Sequence, residues 1–305
     1  MSEALRKAGP FEVSVPASSA NLGPGFDAIG IALELRVTAK VEPADGLSMT
    51  FGSSRFAPTN AGFENEILRG IQYVLGAGAR PPVAIGVDNA IPLGKGLGAS
   101  AAGAVLGLVI GAELAAERPS TDRLGQLACE IEGHPDNALP ALFGGTVIAA
   151  QPADAAPVFL RFDGPPGLRA VVATPQIVLP TAAARSLLPR SYDRRDVVFN
   201  VQRAALLAAS LASGDLHAIR EATGDKIHQP YRAPLVPGFS TMLEFELPGL
   251  LAVALSGAGP SVIALATGGT DAIGEAMRAV FAREGIGCDL FVLEIARDGA
   301  RVVQK

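Results

Sequence analysis

A glycine-rich loop that leads into a stretch of small residues is the feature that most restricts how this chain can fold. Glycines stand at positions 94, 96 and 98, and the segment 96–112 is uncharged and rich in Gly, Ala and Ser. Because glycine lacks a Cβ atom, the backbone N–H groups of such a loop can converge on one point. The positive end of a following helix favours an anion at the same point. The loop therefore indicates a phosphate cradle that opens a buried helix.

Two well-known phosphate motifs do not fit this loop. A Walker A loop needs Ser or Thr after its Gly-Lys pair, whereas Gly96 follows Lys95 here and Asn89 stands where the first glycine belongs. A Rossmann fingerprint begins directly after a strand, whereas 91–93 intervene here and its acidic residue falls near Glu117, within the same helical stretch. The loop is thus a cradle of another kind, or a tight turn whose glycines only permit close packing.

Length, composition and charge narrow the class of protein. A chain of 305 residues that is 49% hydrophobic and 18% charged is expected to fold into two domains, or one large domain, with a large buried core. A net charge of −5 without a basic face argues against nucleic acid and anionic membrane partners. Two cysteines cannot build a disulfide framework, so a cytoplasmic location is expected. The uncharged segments 96–112 and 247–270 are expected to be buried in the protein and not to span a membrane.

Alternating strands and helices are predicted in both halves of the chain. Hydrophobic residues at every second position predict a strand over 33–41, and Val13 and Val15 predict a partner strand that ends at Pro16. Segment 18–27 has the composition of a turn. Further strands are predicted at 83–87, 168–174, 250–255, 262–266 and 288–295. Helices are predicted at 65–75, from the glycine loop to near Pro119, from Ser120–Asp122 to Gly133, and at 197–211, 215–223 and 270–284.

A second glycine motif makes the first one far more specific. The segment 255–261, Leu-Ser-Gly-Ala-Gly-Pro-Ser, lies between two apolar strands. With the loop at 92–102 it resembles the paired glycine motifs of the GHMP kinases, which include galactokinases, mevalonate kinases and homoserine kinases. Ala99 replaces a common serine of that signature, which leaves Ser100 to reach phosphate or Mg²⁺.

Further segments resemble the homoserine kinase branch of that family. They are 16–27, the run 132–137 with 140–141 and 144–145, the run 181–185 with 188–189, and the run 230–232 with 237–239. The resemblance implies ATP- and Mg²⁺-dependent phosphorylation of L-homoserine to O-phospho-L-homoserine, a step in threonine biosynthesis. The resemblance is also compatible with a homodimer. The alternatives are another GHMP small-molecule kinase, such as mevalonate kinase, and, more distantly, a non-catalytic α/β binding module.

The fold implied by the resemblance is α+β with two domains. The N-terminal ATP-binding domain, placed at 1–156, is expected to resemble the second domain of ribosomal protein S5. The C-terminal domain, placed at 157–305, is expected to be ferredoxin-like. The Pro- and Ala-rich stretch 151–157 marks the boundary between them, and the site is expected between the two domains.

The resemblance also assigns roles to individual residues. Homoserine is expected to contact Asn21, Asp27, Asn137, Arg185 and Arg232. The nucleotide is expected to contact Asn65, Pro92, Leu93, Gly94, Lys95, Gly96, Leu97, Gly98, Ala99, Ser100, Ala101, Ala102, Ser256, Gly257 and Gly259. The reacting hydroxyl is expected to lie near Thr181, with Asn137 orienting it and Asp136 available as a general base.

The metal ligands are expected to be Ser100 and one glutamate of the run 129–132. The Glu-x-Glu-Gly pattern favours Glu130, and counting back from the Gly-His pair favours Glu132. Helix periodicity does not decide between them, and Glu130 is the preferred assignment. His134 is expected to order its loop.

Overall fold

A computed structural model describes residues 9–52, 54, 56, 62–152, 155–177, 179 and 181–304. Its larger sheet has seven strands, in the order β11-β1-β2-β4-β3, with β5 pairing with both β2 and β6. These strands are β1 (Phe11–Asn21), β2 (Gly25–Pro43), β3 (Ser48–Phe51), β4 (Val83–Asn89), β5 (Thr146–Ala150), β6 (Val158–Phe162) and β11 (Arg301–Gln304). Both β6 and β11 lie beyond the boundary predicted at 156/157, so the first sheet includes strands from both sides of it.

The hairpin β1–β2 corrects the prediction for the segment 13–27. Strand β1 continues through Pro16 to Asn21, and only residues 22–24 form the turn. Pro16 is accommodated because the register of the two strands shifts between Pro16 and Ala17, where the regular hydrogen-bond ladder is interrupted. The small polar residues that suggested a turn are therefore buried strand residues.

The four helices described in this half are α1 (Gly62–Leu75), α2 (Ala99–Leu114), α3 (Thr121–Glu132) and α4 (Pro135–Phe143). Helices α2 and α4 pack on β1 and β2, and α1 and α3 pack against these two helices. Helices α1 and α2 touch backbone to backbone, since a Cβ atom at Gly107 would lie 1.9 Å from the carbonyl oxygen of Ile67. This contact is the physical reason for the small residues of α2. The helix ends at Leu114, earlier than the predicted end near Pro119, whereas α4 was not predicted.

The smaller sheet has four antiparallel strands in the order β10-β7-β9-β8. They are β7 (Arg169–Pro175), β8 (Leu250–Leu255), β9 (Val262–Ala266) and β10 (Cys288–Glu294). The helices of this half are α5 (Thr181–Ser186), α6 (Arg194–Ser213), α7 (Ile219–Ala222), α8 (Gln229–Arg232), α9 (Phe239–Leu243) and α10 (Thr270–Arg283). In chain order the strands are placed 4-1-3-2, which is the expected ferredoxin-like order.

The two segments that are long and uncharged form buried elements of these layers. Segment 96–112 lies largely in α2, and 247–270 contains β8 and β9. No helix within the described residues is both long enough and apolar enough to cross a membrane.

Candidate active site

The two glycine loops meet at the junction of the two halves. A Cβ atom at Gly96, whose φ is 79°, would lie 2.2 Å from the carbonyl oxygen of Ser256. The Ser256 hydroxyl donates to the Gly96 carbonyl at 2.6 Å, and the Ser261 N–H donates to the Lys95 carbonyl at 3.2 Å. The loops are thus packed backbone against backbone, and Gly96 leaves no space for a side chain.

Helix α2 begins at this junction with an open N-terminus. Gly98 is its N-cap, with φ 65°, and no side chain caps the helix. The uncapped N–H groups and the helix dipole favour an anion here, as the sequence predicts. The side chains of Leu97, Ala101 and Ala102 are buried in the core, so these residues can offer a phosphate only their backbone.

Lys95 does not extend into the cradle. Its Nζ donates to the backbone carbonyl of Pro175 at 3.0 Å and to that of Ile177. Partial burial lowers the pKa of this amine, while Asp289 opposes that effect. The amine thereby ties the phosphate loop to the end of β7, and the contact of Lys95 with the nucleotide stays a prediction.

The structure places Glu132 and not Glu130 beside Ser100. The Ser100 hydroxyl donates to Glu132 Oε1 at 2.9 Å. Glu130 is half exposed and pairs with Arg123 at 3.1 Å. Residues two apart on a helix point in nearly opposite directions, and only the face of α3 that carries Glu132 meets α2. This placement favours Glu132, the alternative to the preferred Glu130, as the metal ligand.

A second carboxylate accompanies this pair. Glu66 Oε2 on α1 is buried and accepts no hydrogen bond from the described residues, with Arg69 Nη1 at 3.8 Å. Burial raises the pKa of Glu132, the Ser100 hydroxyl and His134 oppose that effect, and Glu66 adds to it. Two carboxylates and a hydroxyl, all hard oxygen donors, fit a cation such as Mg²⁺.

On the other side of the cradle, the residues predicted to bind homoserine surround the turn 22–24. Arg185 makes two hydrogen bonds to Asp27, at 2.8 and 3.1 Å. Asn21 donates to the carbonyl of Gly257 at 3.0 Å and accepts the N–H of Asp27 at 3.0 Å. Asn21 and Asp27 have φ values of 70° and 55°, which are uncommon for residues other than glycine and frequent at functional sites.

Arg232 lies behind this ion pair, with only 2% of its surface exposed. Its guanidinium donates to His228 Nδ1 at 3.2 Å and, over longer distances of 3.4 Å, to the carbonyls of Ala184 and Gly257. Burial and the nearby Arg185 lower its pKa. Both guanidiniums lie near the Phe26 ring, with Cζ of Arg185 5.5 Å and Cζ of Arg232 5.4 Å from the ring centroid. Neither Phe26 nor His228 is among the site residues predicted from the sequence.

A histidine–aspartate pair completes this group of charged side chains, which is the candidate substrate pocket. His134 Nδ1 is 2.5 Å from Oδ1 of the buried Asp136, and ligand atoms of these two residues and Asp27 lie within 4.8 Å of one another. Burial lowers the pKa of His134, but the bond to Asp136 and the nearby carboxylates outweigh it, so the net shift is upward. The neighbouring Asn137 Oδ1 accepts the Ser18 hydroxyl at 3.0 Å.

Two predicted site residues, Thr181 and Asn65, have no described contact with the rest of the site. Thr181 begins α5, but its side chain lies outside the described part of the structure. Asn65 is exposed in the first turn of α1. The structure thus brings together the glycine loops, the Ser100–Glu132 pair and the charged pocket.

Comparisons with known proteins agree with this arrangement. The model of the GHMP kinases N terminal domain matches residues 65–145, and that of the GHMP kinases C terminal matches 207–283. A homoserine kinase of Moorella thermoacetica is 41% identical over 95% of this chain and 99% of its own length. A homoserine kinase of Schizosaccharomyces pombe is 37% identical over 96% of this chain and 98% of its own length. The crystal structure of homoserine kinase from Cytophaga hutchinsonii superimposes with a TM-score of 0.83 at 28% identity, over 98% of both chains.

Proposed function

The chain belongs to the homoserine kinases of the GHMP kinase family, and on that premise we propose that it transfers the γ-phosphoryl group of ATP to the hydroxyl of L-homoserine. The products are O-phospho-L-homoserine and ADP, and the reaction serves threonine biosynthesis. The observation that carries this proposal is the Asp27–Arg185 ion pair beside Arg232, within a pocket that adjoins the glycine loops.

An amino acid can replace the internal ion pair with its own charges. Its carboxylate matches the planar, two-pronged donor of Arg185 and the second guanidinium of Arg232. Its ammonium matches the carboxylate of Asp27, which then exchanges one cationic partner for another. Mevalonate offers a carboxylate but no ammonium, so it would leave Asp27 without a cation. The pocket therefore favours homoserine over mevalonate.

The phosphates of ATP fit the open N-terminus of α2 and the backbone N–H groups of the two glycine loops. The Ser100 hydroxyl and the Glu132 carboxylate are placed to hold Mg²⁺, and Glu66 adds negative charge nearby. Bound Mg²⁺ supplies neutralisation of the phosphate charge. These protein groups stabilise the negative charge on the transferred phosphoryl group, and no covalent enzyme intermediate is needed.

The residues around the hydroxyl act mainly by positioning. Asn137 is held by the Ser18 hydroxyl at 3.0 Å and can orient the hydroxyl of the substrate, as Thr181 is expected to do. Asp136 is hydrogen-bonded to His134 through Oδ1, so that oxygen already has a partner within the protein. A loose transition state for phosphoryl transfer asks little of a base, so Asp136 serves this site first as the partner that fixes His134.

A substrate panel tests the proposal. Purified protein with ATP and Mg²⁺ is offered L-homoserine, mevalonate, galactose and 3-aminopropanol, and ADP release is followed in a coupled assay. We expect turnover with homoserine and very little with 3-aminopropanol, which lacks the carboxylate. Turnover of 3-aminopropanol at the rate of homoserine would contradict the proposal that the two arginines bind the substrate carboxylate.

A further inference from the structure

His228 uses both of its ring nitrogens inside the protein. The residue is completely buried immediately before α8, the helix that ends in Arg232. Its Nε2 lies 2.7 Å from the carbonyl oxygen of Gly23, and its Nδ1 lies 3.2 Å from Arg232 Nη1. A carbonyl can only accept and a guanidinium can only donate. The ring must therefore carry its proton on Nε2 and present a lone pair at Nδ1 to Arg232.

The surroundings of the ring hold it neutral and in place. The ring stacks on Phe26 with centroids 5.3 Å apart. Asp225 fixes the backbone by accepting the N–H groups of His228 at 3.1 Å and of Gln229 at 2.6 Å, and its Oδ2 lies 3.5 Å from Nε2. Burial lowers the pKa of His228; the carboxylates of Asp225 and Asp27 and the Gly23 carbonyl oppose that effect, and Arg232 adds to it.

The other end of this chain of contacts is rigid. Gly23 lies in the turn 22–24 between β1 and β2, with Asn21 before the turn and Asp27 after it. Its φ is 89°, and a Cβ atom there would lie 2.1 Å from the carbonyl oxygen of Thr223. Close packing thus fixes the position of the Gly23 carbonyl. Gly23 belongs to the turn 22–24 of the N-terminal half, whereas Arg232 belongs to the C-terminal half.

We propose that His228 is a positioning residue that aims the Arg232 guanidinium at the substrate carboxylate and ties its placement to the turn that carries Asn21 and Asp27. The inference rests on the proposed function. Among the acceptors of Arg232 in the described residues, His228 Nδ1 is the closest at 3.2 Å, since the carbonyls of Ala184 and Gly257 are 3.4 Å away. Without this acceptor the guanidinium loses its shortest restraint. A doubly protonated His228 ring would instead present an N–H group and a positive charge to the Arg232 guanidinium, and would repel it.

The first test separates positioning from mere stability. His228→Phe keeps an aromatic ring against Phe26 and removes both nitrogens. We expect the KM for homoserine to rise about tenfold, as the loss of one hydrogen bond to a charged group implies. The kcat should stay within about threefold and the KM for ATP should be unchanged. His228→Gln, which offers an amide donor and a carbonyl acceptor, should recover most of the loss, and His217→Phe, at an exposed histidine, is the matched control.

The substrate analogue gives the decisive comparison. His228→Phe should lower kcat/KM for homoserine but leave the weak reaction with 3-aminopropanol unchanged, because that alcohol has no carboxylate for Arg232 to bind. An equal loss with both alcohols would reduce His228 to a structural residue and overturn the proposal. If the wild-type protein does not phosphorylate homoserine at all, the proposed function fails instead.

A measurement on the wild-type protein covers the case in which His228→Phe does not fold. The chain has three histidines, so ¹⁵N-histidine labelling gives few signals, and His228→Gln identifies the relevant one. Long-range ¹H–¹⁵N spectra should show a neutral ring protonated at Nε2 at neutral pH. A ring protonated at Nδ1, or at both nitrogens, would contradict the assignment.

Discussion

Replacement of either glutamate at the end of α3 by glutamine tests the metal site with a built-in control. Glu132→Gln keeps the shape of the side chain. It also keeps an oxygen that can accept the Ser100 hydroxyl, which is 2.9 Å from Oε1 in the wild type. Only the charge is lost. Removal of a charge that stabilises the transition state costs at least about 1.4 kcal/mol, which is about a tenfold fall in kcat/KM for ATP. The Mg²⁺ concentration for half-maximal activity should rise as well.

The stability of the same variant should move in the opposite direction. Burial and Glu66 raise the pKa of Glu132, so its charged form is disfavoured in the folded protein relative to the unfolded chain. We therefore expect the metal-free Glu132→Gln protein to unfold at a temperature no lower than the wild type. Mg²⁺ should raise the unfolding temperature of the wild type by mass action and should do so less for the variant.

Glu130→Gln is the control. Its carboxylate is half exposed and pairs with Arg123, and such surface pairs contribute about 0–1 kcal/mol to stability. Activity and Mg²⁺ dependence should match the wild type. The assay is ADP release over a Mg²⁺ series, with thermal unfolding in parallel. A damaging Glu130→Gln together with a silent Glu132→Gln would refute the placement of the metal.

Three further outcomes are expected. Arg232→Leu should raise the KM for homoserine about 10- to 150-fold and barely change the KM for ATP in steady-state kinetics, because one charged donor to the carboxylate is lost; equal increases for both substrates would contradict the clamp. Gly96→Ala should weaken ATP binding in calorimetry far more than Gly94→Ala, since a Cβ at Gly96 would lie 2.2 Å from a carbonyl of the second glycine loop while Gly94 has open space. Burial raises the pKa of Cys129 to about 12 and that of Cys288 to about 11, so iodoacetamide at pH 7.5 should label the native protein at least about 100-fold more slowly than the unfolded chain.

The sequence predicts best those elements whose pattern is local. Strands β8 and β9 have the predicted bounds, because each is a continuous apolar run set off by glycines. Helix α3 begins directly after its predicted cap, Ser120, and ends directly before Gly133, which has φ 83°. In these cases the start and stop signals are side chains next to the element, and no distant contact overrides them.

Prediction from the sequence fails where contacts between distant residues decide the local structure. Residues 18–21 have turn composition, yet Ser18 and Ser19 are buried in β1, where they bond to Asn137 and to Ser256. Local propensity cannot reveal partners that lie more than a hundred residues away. The choice between Glu130 and Glu132 likewise depends on which face of α3 meets α2, and the sequence does not encode that in any local period.

The candidate site shows the same division. The glycine loops, the arginines and Asp27 could be found because they lie in motifs that resemble a known family. The relation between His228 and Arg232 could not, since it depends on the Gly23 carbonyl, 205 positions from His228 along the chain. Lys95 looks like a phosphate ligand by its position in the loop, but its carbonyl partners at the end of β7 become visible only in the folded protein.

The central claim is that the pocket recognises both charges of an amino acid and delivers its hydroxyl to ATP. Product identification by ³¹P NMR tests this most directly, with the protein, ATP, Mg²⁺ and equal amounts of L-homoserine and mevalonate in one tube. We predict a single new phosphomonoester, O-phospho-L-homoserine, formed in equal amount with ADP, while mevalonate remains unchanged. Phosphorylation of mevalonate with homoserine left intact, or release of inorganic phosphate without a phosphomonoester, would contradict the account.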